Sequence, residues 1–101
     1  DMIEICKALG NETRLNIMLW LRDPGGISPQ GLHIPEGESF EGGVCVGSLC
    51  DKAAVAQSTM SHYLDMLQKA GLLESRRYGN DHYRRNEQTI RELRDYIEHK
   101  L

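Results

Sequence analysis

No apolar run in this chain approaches the roughly 20 residues that an α-helix needs to cross a bilayer. A helical membrane span is therefore not expected. The opening residues, Asp1-Met2-Ile3-Glu4, lack the basic region of a secretory signal, and the expected location is cytoplasmic. Cysteine is scarce and odd in number: Cys6, Cys45 and Cys50. Three thiols in a reducing compartment do not make a disulfide framework. A cationic excess is missing too, because twelve Lys and Arg face fifteen Asp and Glu for a net charge of −3. That excludes a non-specific nucleic-acid coat protein. It does not exclude a specific DNA reader, whose footprint depends on where the charge sits. Catalytic patterns are absent: there is no Gly-rich phosphate loop, nucleophile elbow or His-Glu-x-x-His. An enzyme is not expected, and nothing calls for a resident cofactor or metal.

What is present fits one small soluble domain of 101 residues, 40% hydrophobic and 27% charged. Its cations are unevenly spread. Residues 1–50 hold three Lys or Arg against seven Asp or Glu; residues 51–87 hold six against five. Four of those six, Arg76, Arg77, Arg84 and Arg85, fall within ten positions.

Apolar spacing gives the order of elements. Met2, Ile3, Ile5, Cys6 and Leu9 predict a short amphipathic helix ending at Gly10. Asn11 is the expected N-cap of a second helix, apolar on most sides through Leu15, Ile17, Met18, Leu19, Trp20 and Leu21, and so central to the core. Residues 24–43 hold all three prolines and six of the ten glycines, which predicts an irregular loop pinned by Leu32, Ile34 and Phe40. Val46, Leu49, Cys50 and Ala53 predict a third helix, on which Cys50 reads as a small core residue. After a tight turn at Val55-Ala56-Gln57, Met60, Tyr63, Leu64 and Leu67 mark a longer helix from about Gln57 to Ala70, closed by Gly71. Leu72–Arg77 and His82–Arg85 flank Tyr78-Gly79-Asn80-Asp81, a β-hairpin pattern. Ile90, Leu93, Ile97 and Leu101 line one face of a last helix. The fold class is mainly α with a small β-hairpin, in the order α-α-loop-α-α-β-β-α. That is a single winged helix-turn-helix domain over 1–101, with the helix-turn-helix at about 46–70 and the wing at about 72–85.

Several stretches resemble the arsenic-repressor (ArsR/SmtB) family of bacterial regulators. They are Lys7-Ala8-Leu9-Gly10-Asn11-Glu12-Thr13-Arg14-Leu15-Asn16-Ile17, Gln57-Ser58-Thr59-Met60-Ser61-His62-Tyr63-Leu64, Leu67-Gln68-Lys69-Ala70-Gly71-Leu72-Leu73, Arg76-Arg77 and Tyr83-Arg84. The resemblance implies a homodimer that represses a promoter and releases it when an inducer binds. Family members often carry Ser before the Gln as an N-cap. Here Ala56 stands there, so Ser58 is expected to take over the cap.

In such a fold the first turn of the second helix-turn-helix helix faces base edges in the major groove. Gln57, Ser58, Thr59, Ser61 and His62 are the candidates, Gln being able to pair with adenine. Arg76, Arg77, Arg84 and Arg85 would meet phosphate or the minor groove, with one of each adjacent pair facing DNA. The plainer alternatives are a solvated helix face and an ordinary charged hairpin. The expected partners are double-stranded DNA carrying a palindromic operator and a second copy of the chain. The helices at about 2–9 and 87–101 would form the dimer surface. The alternative class is a winged helix that binds proteins.

The switch stays open. The family's arsenic sensors carry Cys-Val-Cys near the third helix, and here the matching stretch is Val44-Cys45-Val46-Gly47-Ser48-Leu49-Cys50. Cys45 falls on the first thiol and Gly47 on the second; Cys50 falls where some members have a third. A possible thiol sensor, for metalloid or oxidation, is therefore Cys45 with Cys50. An organic ligand near the loop, a protein partner and no effector are the other options. Asp95 and His99 share a helix face where relatives bind zinc, but without the family's Asp-x-His start they read as a solvated pair.

Overall fold

The computed structural model describes residues 1–27 and 39–101. The described elements are α1 (Met2–Leu9), α2 (Glu12–Arg22), β1 (Val44–Cys45), α3 (Val46–Ala53), α4 (Gln57–Lys69), β2 (Leu73–Tyr78), β3 (Asn80–Arg85) and α5 (Glu87–Lys100). The expected order holds, with one addition. β1 pairs antiparallel with β3, Val44 opposite Tyr83 and Cys45 opposite His82, so the hairpin becomes a three-stranded sheet ordered β1-β3-β2. Two residues are too few to show strand alternation, which hid β1 at the end of the loop. Of the expected loop pins, Leu32 and Ile34 lie outside the described residues. Phe40 is buried, and Pro24–Gly26 forms a 3₁₀ turn at the loop's start.

Local chemistry sets the joints. Asn11 Oδ1 accepts a hydrogen bond from the Arg14 amide at 3.1 Å, the expected N-cap of α2. Arg14 itself reaches back to α1, its Nε donating to the Ala8 carbonyl at 2.7 Å and its Nη2 to that of Lys7 at 3.3 Å. One side chain thus satisfies two C-terminal carbonyls of α1. Gly79 turns the hairpin with a φ of +75°, a conformation that a Cβ would strain.

Ile17, Leu49, Met60, Leu64, Leu67 and Leu72 are fully buried and join α2, α3, α4 and the wing base into one core. Truncating any one of these large side chains to Ala costs about 2–5 kcal/mol. Two expectations need correction. α2 is central, touching α1, α3, α4 and β3. It buries only Ile17, Met18 and Leu21, and Leu19 stands 55% exposed with Leu15 beside it. Its neighbours cover one side of the helix, and the far side stays open. Cys6, counted with Met2 and Leu9 among the apolar positions of α1, is exposed, because the inward face of the helix centres on Ile5 and Ala8.

α5 differs from the rest. Thr89 is its one buried residue, and Ile90 and Leu93 pack partly on the core. Ile97 is 53% exposed, with Tyr96 and Leu101 also open.

Candidate DNA-binding face

α3 and α4 meet through Ala54, whose φ of 55° and ψ of 42° are left-handed. A non-glycine residue pays a penalty there that packing on both sides must hold in place. The turn aims α4 outward while Met60, Leu64 and Leu67 root it in the core. Gln57, Ser58, Thr59, Ser61 and His62 are all exposed on its first turns. The helix starts at Gln57. Ser58 lies within the first turn and does not cap, contrary to expectation. Ala56 already has the extended backbone of a cap, and its carbonyl accepts from the Met60 amide at 3.0 Å. No side chain caps this end, so the first-turn amides and the positive helix end remain available to an anion.

The hairpin is fixed relative to this helix. Gln68 Nε2 donates to Ser75 Oγ at 2.8 Å, and the Asn86 amide donates to the Leu72 carbonyl at 2.9 Å. The four arginines then divide. Arg85 has a side chain only 11% exposed; it grips Glu87 through Nε at 2.9 Å and Nη2 at 3.1 Å, and its Nη1 donates to the Met18 carbonyl at 3.3 Å. Arg84 lies 3.7 Å from Glu74, and its Nη1 donates to the Glu41 carbonyl at 3.4 Å. Arg76 is exposed, and Arg77, with a side chain 72% exposed, holds a loose pair with Asp81 at 3.4 Å. Strand alternation explains Arg77 and Arg85. They share the sheet face turned to the core, but the core ends before Arg77, near the tip. Sequence spacing missed the inner partners because Met18 and Glu41 are remote in the chain. Glu74 and Glu87 gave no signal separating them from solvated acids.

Cys45 is half-buried at the start of α3, its Sγ 3.2 Å from Ser48 Oγ. Cys50 is half-buried against the core. Burial, then Asp51 and Cys45, push its thiol above the ordinary cysteine range, which disfavours the thiolate that would bind a metalloid or react with an oxidant. Among the described residues no three His, Cys, Asp or Glu groups converge on a metal-sized point. Asp95 and His99 are both exposed on α5. Also among the described residues, no helix is long and apolar enough to cross a membrane.

A helix-turn-helix with an exposed polar first turn, followed by a β-hairpin with exposed arginines at its tip, defines a winged helix DNA-binding transcription regulator. The chain belongs to the arsR family of bacterial regulatory proteins. The family model of that description matches residues 40–75. An uncharacterized HTH-type transcriptional regulator of Bacillus subtilis (strain 168), YbzH, is 38% identical over 105 residues, covering 100% of this chain and 99% of that protein. The fold is shared with the transcriptional repressor BigR from Xylella fastidiosa, at a TM-score of 0.59 and 24% identity over 98% of this chain and 86% of that one. It is shared as well with HlyU from Vibrio cholerae N16961, at a TM-score of 0.62 and 20% identity over 98% and 91%.

Proposed function

We propose that this regulator is a homodimeric repressor that reads a palindromic operator and releases it when an effector binds. The carrying observation is the division of labour in the helix-turn-helix. Gln57, Ser58, Thr59, Ser61 and His62 are exposed, with no side-chain hydrogen bond or ion pair to hold them among the described residues, while their neighbours Met60 and Leu64 anchor the helix in the core. Gln57 suits bidentate recognition of adenine, and the short hydroxyls suit close approach to base edges. Arg76 and Arg77 leave opposite faces of the exposed wing tip and supply phosphate or minor-groove contacts on its two sides, in place of one arginine from each adjacent pair, whereas Arg84 and Arg85 brace the base of the wing.

Dimerisation is supported by α1 and α5. An apolar groove of about 340 Å³ runs along Ile90, Leu93 and Ile97. Ile3 on α1, Tyr96 on α5 and Leu101 just beyond α5 are exposed as well. A second copy covering these faces would double the DNA contacts and fix the half-site spacing. That BigR, which shares this fold, is a transcriptional repressor supports the direction of control.

For release, a cleft of about 510 Å³ lies beside both ends of the 24–43 loop, lined by Leu21, Pro24, Glu41, Arg84, Arg85 and Arg91 among others. It favours a small polar ligand over the two half-buried thiols.

The experiment is anisotropy of a labelled duplex from the region upstream of the chain's own gene, with reduced protein and again after mild oxidation, alongside sedimentation of wild type and Ile97→Glu. The expected result is tight binding in both redox states and a dimer that Ile97→Glu splits. Loss on oxidation would return Cys45 and Cys50 to the sensor role. A monomeric wild type would end the homodimer reading, and a reduced protein without affinity for the duplex would favour a protein-binding winged helix.

A further inference from the structure

Phe40 is 1% exposed, yet it lies outside the main core. Its ring packs on the wing instead. The Arg84 guanidinium sits 4.3 Å from the ring centroid, that of Arg76 5.6 Å, and the Tyr78 ring 6.5 Å away at a tilt. Register accounts for the grouping. Arg76 is opposite His82 and Arg84 opposite Glu74, so these side chains share the sheet face turned away from Leu73 and Val44. A tight turn delivers the ring: the Gly43 amide donates to the Phe40 carbonyl at 2.9 Å, and a Cβ at Gly43 would overlap the Phe40 ring. The Glu41 carbonyl, in the same turn, accepts from Arg84 Nη1. The end of the long loop is thereby fastened to the wing at two points, a ring and a carbonyl.

The two arginines on this ring have different commitments. Arg84 is half-buried and also paired with Glu74, so it forms the fixed side. Arg76 is exposed, and the ring is the contact that restrains its guanidinium among the described residues. A flexible arginine loses rotamer freedom when it meets a phosphate; one already resting on an aromatic face loses less. We propose that Phe40 is a positioning residue for DNA binding, its ring holding Arg76 in place on the outer face of the wing to meet a phosphate. This rests on the reading that the wing meets DNA. It gives the long loop a task within the DNA-binding surface, since the loop supplies the ring.

The test is a salt titration of the full chain on a labelled duplex, comparing wild type, Phe40→Leu, Phe40→Tyr, Arg76→Ala and the Phe40→Leu/Arg76→Ala pair, with thermal melts to establish folding. Leu keeps the burial and removes the π face, whereas Tyr keeps both. Phe40→Leu is expected to weaken binding roughly three- to tenfold per subunit and to lower the salt slope of the dimer by about 1.8, the loss of one phosphate contact in each subunit. Phe40→Tyr keeps the π face but buries an added hydroxyl, so it is expected to melt lower while keeping the wild-type salt slope. In the Arg76→Ala background the Leu substitution should add nothing further. A wild-type slope in Phe40→Leu, or an equal extra loss in the Arg76→Ala background, would overturn the proposal while leaving DNA binding intact. A wild-type protein with no salt-dependent affinity would overturn the DNA reading itself.

Discussion

The base and the tip of the wing carry the same residue type and use it in opposite ways. At the base, Arg85 is almost enclosed and makes three hydrogen bonds, and Arg84 is held between Glu74, the Glu41 carbonyl and the Phe40 ring. At the tip, Arg76 and Arg77 extend into solvent with a ring contact and one loose ion pair. A cluster of arginines is therefore not itself a DNA footprint. What separates a brace from a contact is how many partners the chain supplies and how far they bury the side chain.

The largest expected effect tests the base. Arg85→Ala should lower folding stability by about 2–3 kcal/mol, because it removes charged hydrogen bonds and the packing of a nearly buried stem. Arg77→Ala should change stability by less than about 0.5 kcal/mol, its pair being solvent-screened. Denaturant midpoints of the two variants check this, and equal losses would erase the distinction. Next, Gln57→Ala should keep the wild-type melting curve while discrimination between operator and a scrambled duplex falls by about 1–3 kcal/mol, the range for one bidentate base contact. Unchanged discrimination would move base reading elsewhere on α4. A smaller effect sharpens the tip: Arg77→Ala should weaken all duplexes about fivefold near 0.1 M salt, alike for operator and scrambled sequence. The smallest is Asp81→Asn, which releases Arg77 from its pair and removes a negative charge; binding should tighten about twofold at low salt, and the gain should fade as salt rises.

Local signals made much of this architecture legible. Asn11 as a cap, Gly71 closing α4, Gly79 at the hairpin tip and the apolar stripe Met60-Leu64-Leu67 are all short-range patterns, and all five expected helices are present. Remote partners were not legible. β1 exists because Val44 and Cys45 meet β3, nearly forty residues later in the chain, and no spacing within two residues announces that. Leu15 and Leu19 read as core because apolar residues surround them, but one side of α2 has no neighbour to bury it. The candidate base-reading residues lie on the exposed side of α4. The four wing arginines could be found by composition and could not be sorted by it, since Met18, Glu41 and Phe40 come from other parts of the chain.

The same logic separates the two ends of the molecule. α4 shows solvent a polar edge suited to base edges, and α5 shows it an apolar one suited to a second copy. A monomer that exposes Ile97 and Leu101 has surface to cover, whereas Gln57 and Ser58 need no cover in the absence of DNA.

The central claim is that this net-acidic chain binds DNA through a few placed cations. Its most direct test is the affinity of wild-type protein for a labelled upstream duplex, measured over a series of salt concentrations. Two tip arginines in each of two subunits predict that log K falls linearly with log salt, with a slope of about −3.6. A slope indistinguishable from zero, at any affinity, would contradict the account.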